Sequence, residues 1–218
     1  MKVFIFDMDG TFIYSMDYWN NLMANYLRSQ KIDPGQNLSG ELLHMTLEDG
    51  IKYIKKKYAL PQSLEEITKD LRDLMAYNYK NTFEMDDKIL SIFQRIKNKG
   101  DKIVLATATQ RDLVDIVLDR FSLNSCFDLE CVSDEMDFHK DDPRYFQYIA
   151  DHFKVDIKDC VVIEDALYSI KTATKLGMTA LGVLAQASKD HIDQIKALTE
   201  KSVERVGQLE DYFISYGY

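Results

Sequence analysis

Residues 2–11 read KVFIFDMDGT. The run Val3-Phe4-Ile5-Phe6 is apolar without alternation, which suits a short strand buried on both faces, as in a parallel sheet. It stops at Asp7, and Asp9-Gly10-Thr11 follows at once. Asp-Gly pairs often mark plain turns. A carboxylate at the end of a buried strand, however, costs free energy unless a cation or hydrogen-bond donors offset it. The first strand is therefore expected at Lys2 to Phe6, and its acidic end, which alone could be a turn, gains meaning only beside other groups.

Downstream of this strand the rhythm changes twice. From about Asp17 to Tyr79 it is helical: Trp19, Leu22, Met23, Tyr26 and Leu27 share one helix face. After the Asp33-Pro34-Gly35 turn, Leu47, Ile51, Ile54 and Tyr58 continue the period, and beyond Pro61 so do Leu64, Ile67, Leu71 and Leu74. After about Asn81, strand and helix alternate. Ile89, Phe93 and Ile96 form a helix face closed by Lys97, Lys99 and Gly100. Strands are expected at 102–107, 127–132, 159–163 and 178–183. Helices are expected at 111–120, 143–153, 166–176, from about Ser188 to Leu198, and at 209–216. Such alternation predicts an α/β fold, a doubly wound parallel sheet with helices on both faces. The helical block interrupts it after the first strand. The expected division is a core of residues 1–13 plus 83–218 and a helical cap of residues 14–82.

Composition narrows the functions. The 218 residues carry 27 Lys+Arg against 36 Asp+Glu, a net charge of −9. A nucleic-acid binder needs a positive footprint, and an anionic membrane would repel this surface, so neither partner is expected. The first apolar run is too short for a secretory leader, and no stretch approaches a membrane span. Cys126, Cys131 and Cys160 form no CxxC pair, and His44, His139, His152 and His191 make no HExxH spacing. Free thiols in a reducing cytosol are expected rather than a disulfide or a zinc site. Nothing in the sequence calls for an oligomer.

Ligands of open parallel sheets bind beyond the carboxyl ends of the strands. The polar residues at those ends are Asp7 and Asp9, Thr107, then Glu164 and Asp165, with Lys140 in the loop before a helix. Each has an ordinary explanation alone: Thr107 suits any strand, Lys140 any surface, and Glu164-Asp165 any helix N-terminus. Four acids, a hydroxyl and an ammonium converging from distant segments point instead to a site.

Asp7-Met8-Asp9-Gly10-Thr11, the strand-end Thr107, Lys140 in HKDDPRYF and Glu164-Asp165 in VVIEDALYSIKTATKLGM resemble the motifs of the haloacid dehalogenase (HAD) superfamily, in order and over essentially the whole chain. The resemblance implies a Rossmann-like core with a helical cap after the first strand. It also implies a Mg²⁺-dependent phosphatase acting on a small phosphorylated metabolite through an aspartyl-phosphate. On this mapping Asp7 is the nucleophile and Asp9 the general acid and base. Thr107 and the Ala108 backbone N–H bind the phosphoryl group, and Lys140 offsets its charge. Asp7, the Asp9 carbonyl and Asp165 hold Mg²⁺, with Glu164 acting through a bound water.

Asp9 separates the branches, because the family's true dehalogenases and phosphonate-cleaving members lack this carboxylate. A sugar phosphomutase of the β-phosphoglucomutase kind is the enzymatic alternative. Trp19 stands where those mutases carry a cap His, and their Arg-centred specificity loop is not apparent in Asn37 to Gly50. Tyr14 replaces a common acid, Ala166 a common hydroxyl residue, and Asp141-Asp142 add negative charge beside Lys140. An alternative of another class is a receiver-like phospho-acceptor, although receivers are shorter, lack a cap and use an inner strand. Lys52, Lys55, Lys56 and Lys57 read as a solvated helix face. Trp19 and Tyr26 read as the core of the helical block, whereas Tyr14 and Tyr18 are open to a substrate role.

Overall fold

The computed structural model of the chain describes residues 1–42, 45–184 and 189–218. His44 and the expected helix start at Ser188 lie outside the described residues. The chain divides into two compact units: Met1–Tyr14 with Phe83–Tyr218, and Ser15–Thr82.

The first unit is built on β1 (Val3–Phe6), β2 (Lys102–Thr107), β3 (Leu129–Val132), β4 (Cys160–Glu164), β5 (Thr179–Val183) and β6 (Lys201–Val203). All five neighbouring pairs are parallel, in the order β3-β2-β1-β4-β5-β6. At the centre Ile5 lies opposite Val104 on one side and Val162 on the other. The connecting helices are α6 (Ile89–Asn98), α7 (Arg111–Arg120), α8 (Pro143–Phe153), α9 (Leu167–Lys175) and α10 (Ile192–Leu198), and α11 (Glu210–Ser215) follows β6. The fold class is the doubly wound parallel α/β sheet that the alternation predicts.

The unbroken apolar run of β1 is explained by its two covered faces. Val3 and Ile5 join a core with Tyr145, Phe146, Ile149 and Ile170 of α8 and α9. The alternate residues pack the other way: Phe6 lies 5.0 Å, centroid to centroid, from Phe93 of α6, and Phe4 lies 5.4 Å from Phe213 of α11. Each fully buried side chain of this size contributes about 2 kcal/mol of apolar transfer.

Strand β6 is absent from the sequence reading. It is a three-residue edge strand beginning with the exposed Lys201, too short to show a period, and such edges are kept short and charged. The expected strand at 127–132 begins only at Leu129. Asp128 is used instead to accept the Ile103 N–H at 2.9 Å while its own N–H donates to the Ile103 carbonyl.

The turn after β1 wraps on itself. The N–H groups of Thr11, Phe12 and Ile13 all point to the Met8 carbonyl, and Gly10 takes a φ of 83°, a region that other residues rarely enter. The outgoing and returning chains are then fastened together. Ile13 bridges Met85 in antiparallel fashion, the Tyr14 N–H donates to the Glu84 carbonyl, and the Asp86 N–H donates to that of Phe12. The Tyr14 hydroxyl donates to buried Asp86, which also accepts the N–H groups of Lys88 at 3.0 Å and Gly207 at 3.2 Å.

The second unit holds α1 (Met16–Asn20), α2 (Leu22–Ser29), α3 (Leu38–Leu42), α4 (Leu47–Lys57) and α5 (Leu64–Asn81). The expected single helix through Trp19 and Leu27 is broken at Asn21. Its side-chain amide donates to the Asp17 carbonyl at 2.8 Å, competing with the helical ladder as short polar side chains do. Tyr26 is fully buried, as expected of a core residue, whereas Trp19 is half-buried and donates to the Tyr79 hydroxyl at 3.0 Å. Ser63 and Glu66 close α5 with a reciprocal capping box. Of the lysine cluster, Lys52 pairs with Glu48 and Lys57 with Glu41, while Lys55 binds the Leu60 and Gln62 carbonyls. No helix among the described residues is long and apolar enough to cross a membrane.

Candidate active site

The strand order reverses between β1 and β4, and loops leave such a point in opposite directions, opening a crevice at the carboxyl ends. Asp7 follows β1 there, and Glu164 ends β4 beside it. The Asp7 N–H still donates to the Ile163 carbonyl, so its backbone is fixed by the sheet.

Lys140 comes from the loop before α8 and is 4% exposed. Its ammonium donates to Asp7 Oδ1 at 2.6 Å, Glu164 Oε2 at 2.7 Å and the Ala106 carbonyl at 3.3 Å, using all three of its protons. Thr11 donates to the second Asp7 oxygen at 3.0 Å, so both oxygens of that carboxylate are held. The remaining Glu164 oxygen accepts the N–H groups of Asp165 and Ala166, each at 3.0 Å, at the entry to α9. Oxygens of Asp7, Glu164 and Asp165 lie within 4.8 Å of one another, all buried.

Three carboxylates share one ammonium, and the electrostatics follow. Burial and then the Glu164 charge push the Asp7 carboxyl up to about 7, with Lys140 opposing them. Burial, Asp7 and Glu164 likewise hold the Asp165 carboxyl well above its usual range. Burial also works against Glu164, but Lys140 and the backbone donors outweigh it and keep that carboxyl low. Burial opposes the Lys140 charge, yet Asp7 and Glu164 hold the ammonium well above its ordinary value. A buried excess of hard oxygen donors over positive charge is the setting that fits a divalent cation.

The Asp9 charge also acts on this cluster, adding to the upward push on the Asp7 carboxyl. Asp9 Oδ2 accepts the Thr109 hydroxyl at 2.6 Å. Thr107, buried at the end of β2, accepts the Thr109 N–H on its own hydroxyl oxygen at 3.0 Å, and Ala108 stands exposed between the two threonines. Arg111 anchors this loop from below: its guanidinium spans Glu130 at 2.5 Å and both oxygens of Glu135, and its N–H donates to Asp134. Sequence reasoning missed Thr109 and Arg111; the only signal for Thr109 was a second hydroxyl two residues after Thr107. The negative charge expected from Asp142 is largely spent at home, since Asp142 caps α8 and takes the Arg144 guanidinium.

A profile of haloacid dehalogenase-like hydrolases matches residues 4–183. The chain belongs to that family. Among relatives of this hydrolase is the phosphorylated carbohydrates phosphatase of Thermotoga maritima, 22% identical over 179 residues that cover 82% of each chain. Hexitol phosphatase B of Escherichia coli is 22% identical over 85% of each. A Thermotoga maritima crystal structure provisionally named a beta-phosphoglucomutase superposes with a TM-score of 0.85 at 19% identity, covering 99% of both chains. That last likeness is one of fold.

Proposed function

We propose that this hydrolase is a Mg²⁺-dependent phosphatase that cleaves a small phosphomonoester through an aspartyl-phosphate on Asp7. The observation that carries the reading is the buried Lys140 ammonium, 2.6 Å from Asp7, facing two further carboxylates. Asp7, Asp165 and the backbone of Asp9 would hold the cation, with Glu164 behind them. Bound there, Mg²⁺ would neutralise carboxylate and phosphate charge and orient the phosphoryl group.

The chain's own residues supply the rest. Thr11 and Lys140 fix the Asp7 carboxylate, and one of its oxygens attacks phosphorus as the ester P–O bond breaks. Asp9 gives its proton to the departing alkoxide. It then takes a proton from water, whose oxygen attacks the aspartyl-phosphate and releases inorganic phosphate and the free Asp7 carboxylate. Thr107 and the Ala108 N–H are assigned to the phosphoryl oxygens. Accepting the Thr109 N–H leaves the Thr107 hydroxyl proton available to donate.

The helical unit of residues 15–82 is assigned the part of a cap that admits small substrates and sets specificity. The named activities of the Thermotoga and Escherichia relatives support a phosphorylated carbohydrate or polyol as substrate class. Three unpaired thiols support a cytosolic setting.

The test is phosphate release from a panel of sugar and polyol phosphates, with Mg²⁺ and with EDTA, for the wild type and Asp9→Asn. Turnover that needs Mg²⁺ and collapses in the variant is expected. Isomerisation of a sugar phosphate without free phosphate would replace the reading with a mutase, and a lasting phosphoprotein after acetyl phosphate treatment would replace it with a phospho-acceptor.

A further inference from the structure

We propose that Tyr168 is a substrate-contact residue: its ring packs on the C–H face of a sugar or polyol phosphate, and its hydroxyl bonds an oxygen of the same leaving group. This rests on the phosphatase reading and deepens it, by giving the organic half of the substrate a residue of its own.

Tyr168 stands in the first turn of α9, three residues beyond Asp165. Its neighbours are turned inward, with Leu167 buried and Ser169 and Ile170 fully so, whereas Tyr168 is 48% exposed. The hydroxyls of Tyr53, Tyr58, Tyr145 and Tyr212 each donate to a carbonyl or carboxylate. That of Tyr168 has no hydrogen-bond partner among the described residues. A half-exposed ring with an uncommitted polar tip is ordinary on a protein surface. Its location here is not.

Two ties fix that location. The Thr172 hydroxyl, one turn further on, reaches the Tyr168 carbonyl at 3.0 Å and the Asp141 carbonyl at 3.2 Å. Asp141 follows Lys140, so this turn of α9 is stapled to the loop that carries the ammonium. On the other side, Glu164 accepts the N–H groups of Asp165 and Ala166 at the helix entry. Tyr168 is thus held between the segment that brings two of the acids and the segment that brings the lysine. The electrostatics agree. Burial pushes its phenol up to about 12, and Lys140, Glu164, Asp7 and Asp165 all act on it. After burial, Asp7 and Glu164, Tyr168 is the next group to act on the Lys140 ammonium. Such influence fades over about 10 Å, so charges from three separate segments act together on a group that stands beside them all.

At neutral pH the phenol keeps its proton and can both donate and accept. Lys140 already answers the phosphoryl charge. Tyr168 adds an uncharged pairing of apolar face and polar tip, which matches the C–H and O–H groups of a polyol chain. A contact to the organic half, away from the breaking P–O bond, is equally strong in the ground and transition states. Its loss therefore raises KM and spares kcat.

Tyr168→Phe removes the hydroxyl and keeps the ring; Tyr168→Ala removes both. With the best sugar or polyol phosphate of the panel, Tyr168→Phe is expected to raise KM about two- to tenfold. Tyr168→Ala is expected to raise it about ten- to thirtyfold, with kcat within about twofold in both. Acetyl phosphate has no polyol, so its KM is expected to rise at least about fivefold less. Tyr148→Ala, which removes a comparably exposed tyrosine of α8, is expected to move neither KM. Binding gives a second readout. Asp7→Asn protein is titrated calorimetrically in Mg²⁺ with the same phosphate, or with glucitol 6-phosphate if none is hydrolysed. Adding Tyr168→Ala is expected to weaken Kd by the same factor as KM. An unchanged KM, a loss confined to kcat, an equal rise with acetyl phosphate or in Tyr148→Ala, or an unchanged Kd would overturn the proposal. Failure of the wild type to release phosphate would overturn the phosphatase reading instead, and the two Kd values would then decide the role of Tyr168 by themselves.

Discussion

Lys140 lies as close to Glu164 as to Asp7, at 2.7 and 2.6 Å. The lysine is therefore held by one acid while it serves the other. Removing one partner of a buried ion pair is far costlier than the pair is worth, because it strands the opposite charge. Lys140→Met is expected to destabilise the protein by about 3 kcal/mol at pH 7. Without the ammonium, the Asp7, Glu164 and Asp165 carboxyls would have folded pKa values above their unfolded ones. Such groups destabilise above the unfolded value and cease to do so once protonated, so the deficit should shrink as pH falls from 8 to 5. Urea titrations at both pH values check this; an equal deficit at each would refute it.

Cation binding to the three-carboxylate cluster should be visible without substrate. A ligand that binds only the folded state raises stability by RT ln(1 + [L]/Kd), about 2.7 kcal/mol at a hundredfold excess over Kd. Millimolar Mg²⁺ is expected to raise the wild-type Tm and EDTA to reverse it, with the response lost in Asp165→Asn. A Tm indifferent to Mg²⁺ in the wild type would count against the cation site.

Asp128 offers a pH-dependent term remote from the site. Burial pushes its carboxyl up, but the Ile103 N–H and Lys102 outweigh burial and hold it below its ordinary value. A lowered folded pKa gives stability that is present above the unfolded pKa, near 4, and lost as pH falls through the folded one. Asp128→Asn is expected to cost about 1 kcal/mol at neutral pH, modest because Lys102 is partly exposed. The two proteins should converge once pH falls below the folded pKa of Asp128. Acid titration of stability measures it, and parallel curves would show that the charge contributes nothing.

The thiols should separate cleanly. Burial pushes Cys131 and Cys160 each up to about 12, whereas Cys126 is only half-buried. Thiolate is the reactive form. Labelling of the native protein at pH 8 is expected to modify Cys126 first, with Cys131 and Cys160 reacting after denaturation; peptide mapping identifies the sites.

What could be read in advance depended on how local the physics was. Val3 to Phe6 declare a strand in one segment, because burial on both faces leaves no alternation to misread, and the acids after it became a site only together with Thr107, Lys140, Glu164 and Asp165. Asp7, Lys140, Glu164 and Asp165 were each named from the sequence, Lys140 from its place in the loop before a helix. Glu164 illustrates the limit. Its place beside Asp165 is a local fact, but its grip on Lys140 and two N–H groups requires the assembled sheet. Thr109 and Arg111 were invisible for the same reason, since their partners at Asp9, Glu130 and Glu135 come from other loops. Helical periodicity likewise could not register the break at Asn21, which rests on one side-chain amide.

The bridge between Ile13 and Met85, with the Tyr14 N–H on the Glu84 carbonyl, makes the exit and return of the chain a single seam. Everything from Ser15 to Thr82 hangs from two adjacent stitches, and the register of β1 against β2 is set on the near side of them. A short turn joining Tyr14 to Phe83 should therefore yield a sheet domain that melts cooperatively; an unfolded product would contradict this. In evolutionary terms the seam is a socket: a chain segment whose ends come this close can be exchanged for another, leaving the chemistry proposed for Asp7 and Asp9 untouched while the substrate choice proposed for the helical unit is rewritten.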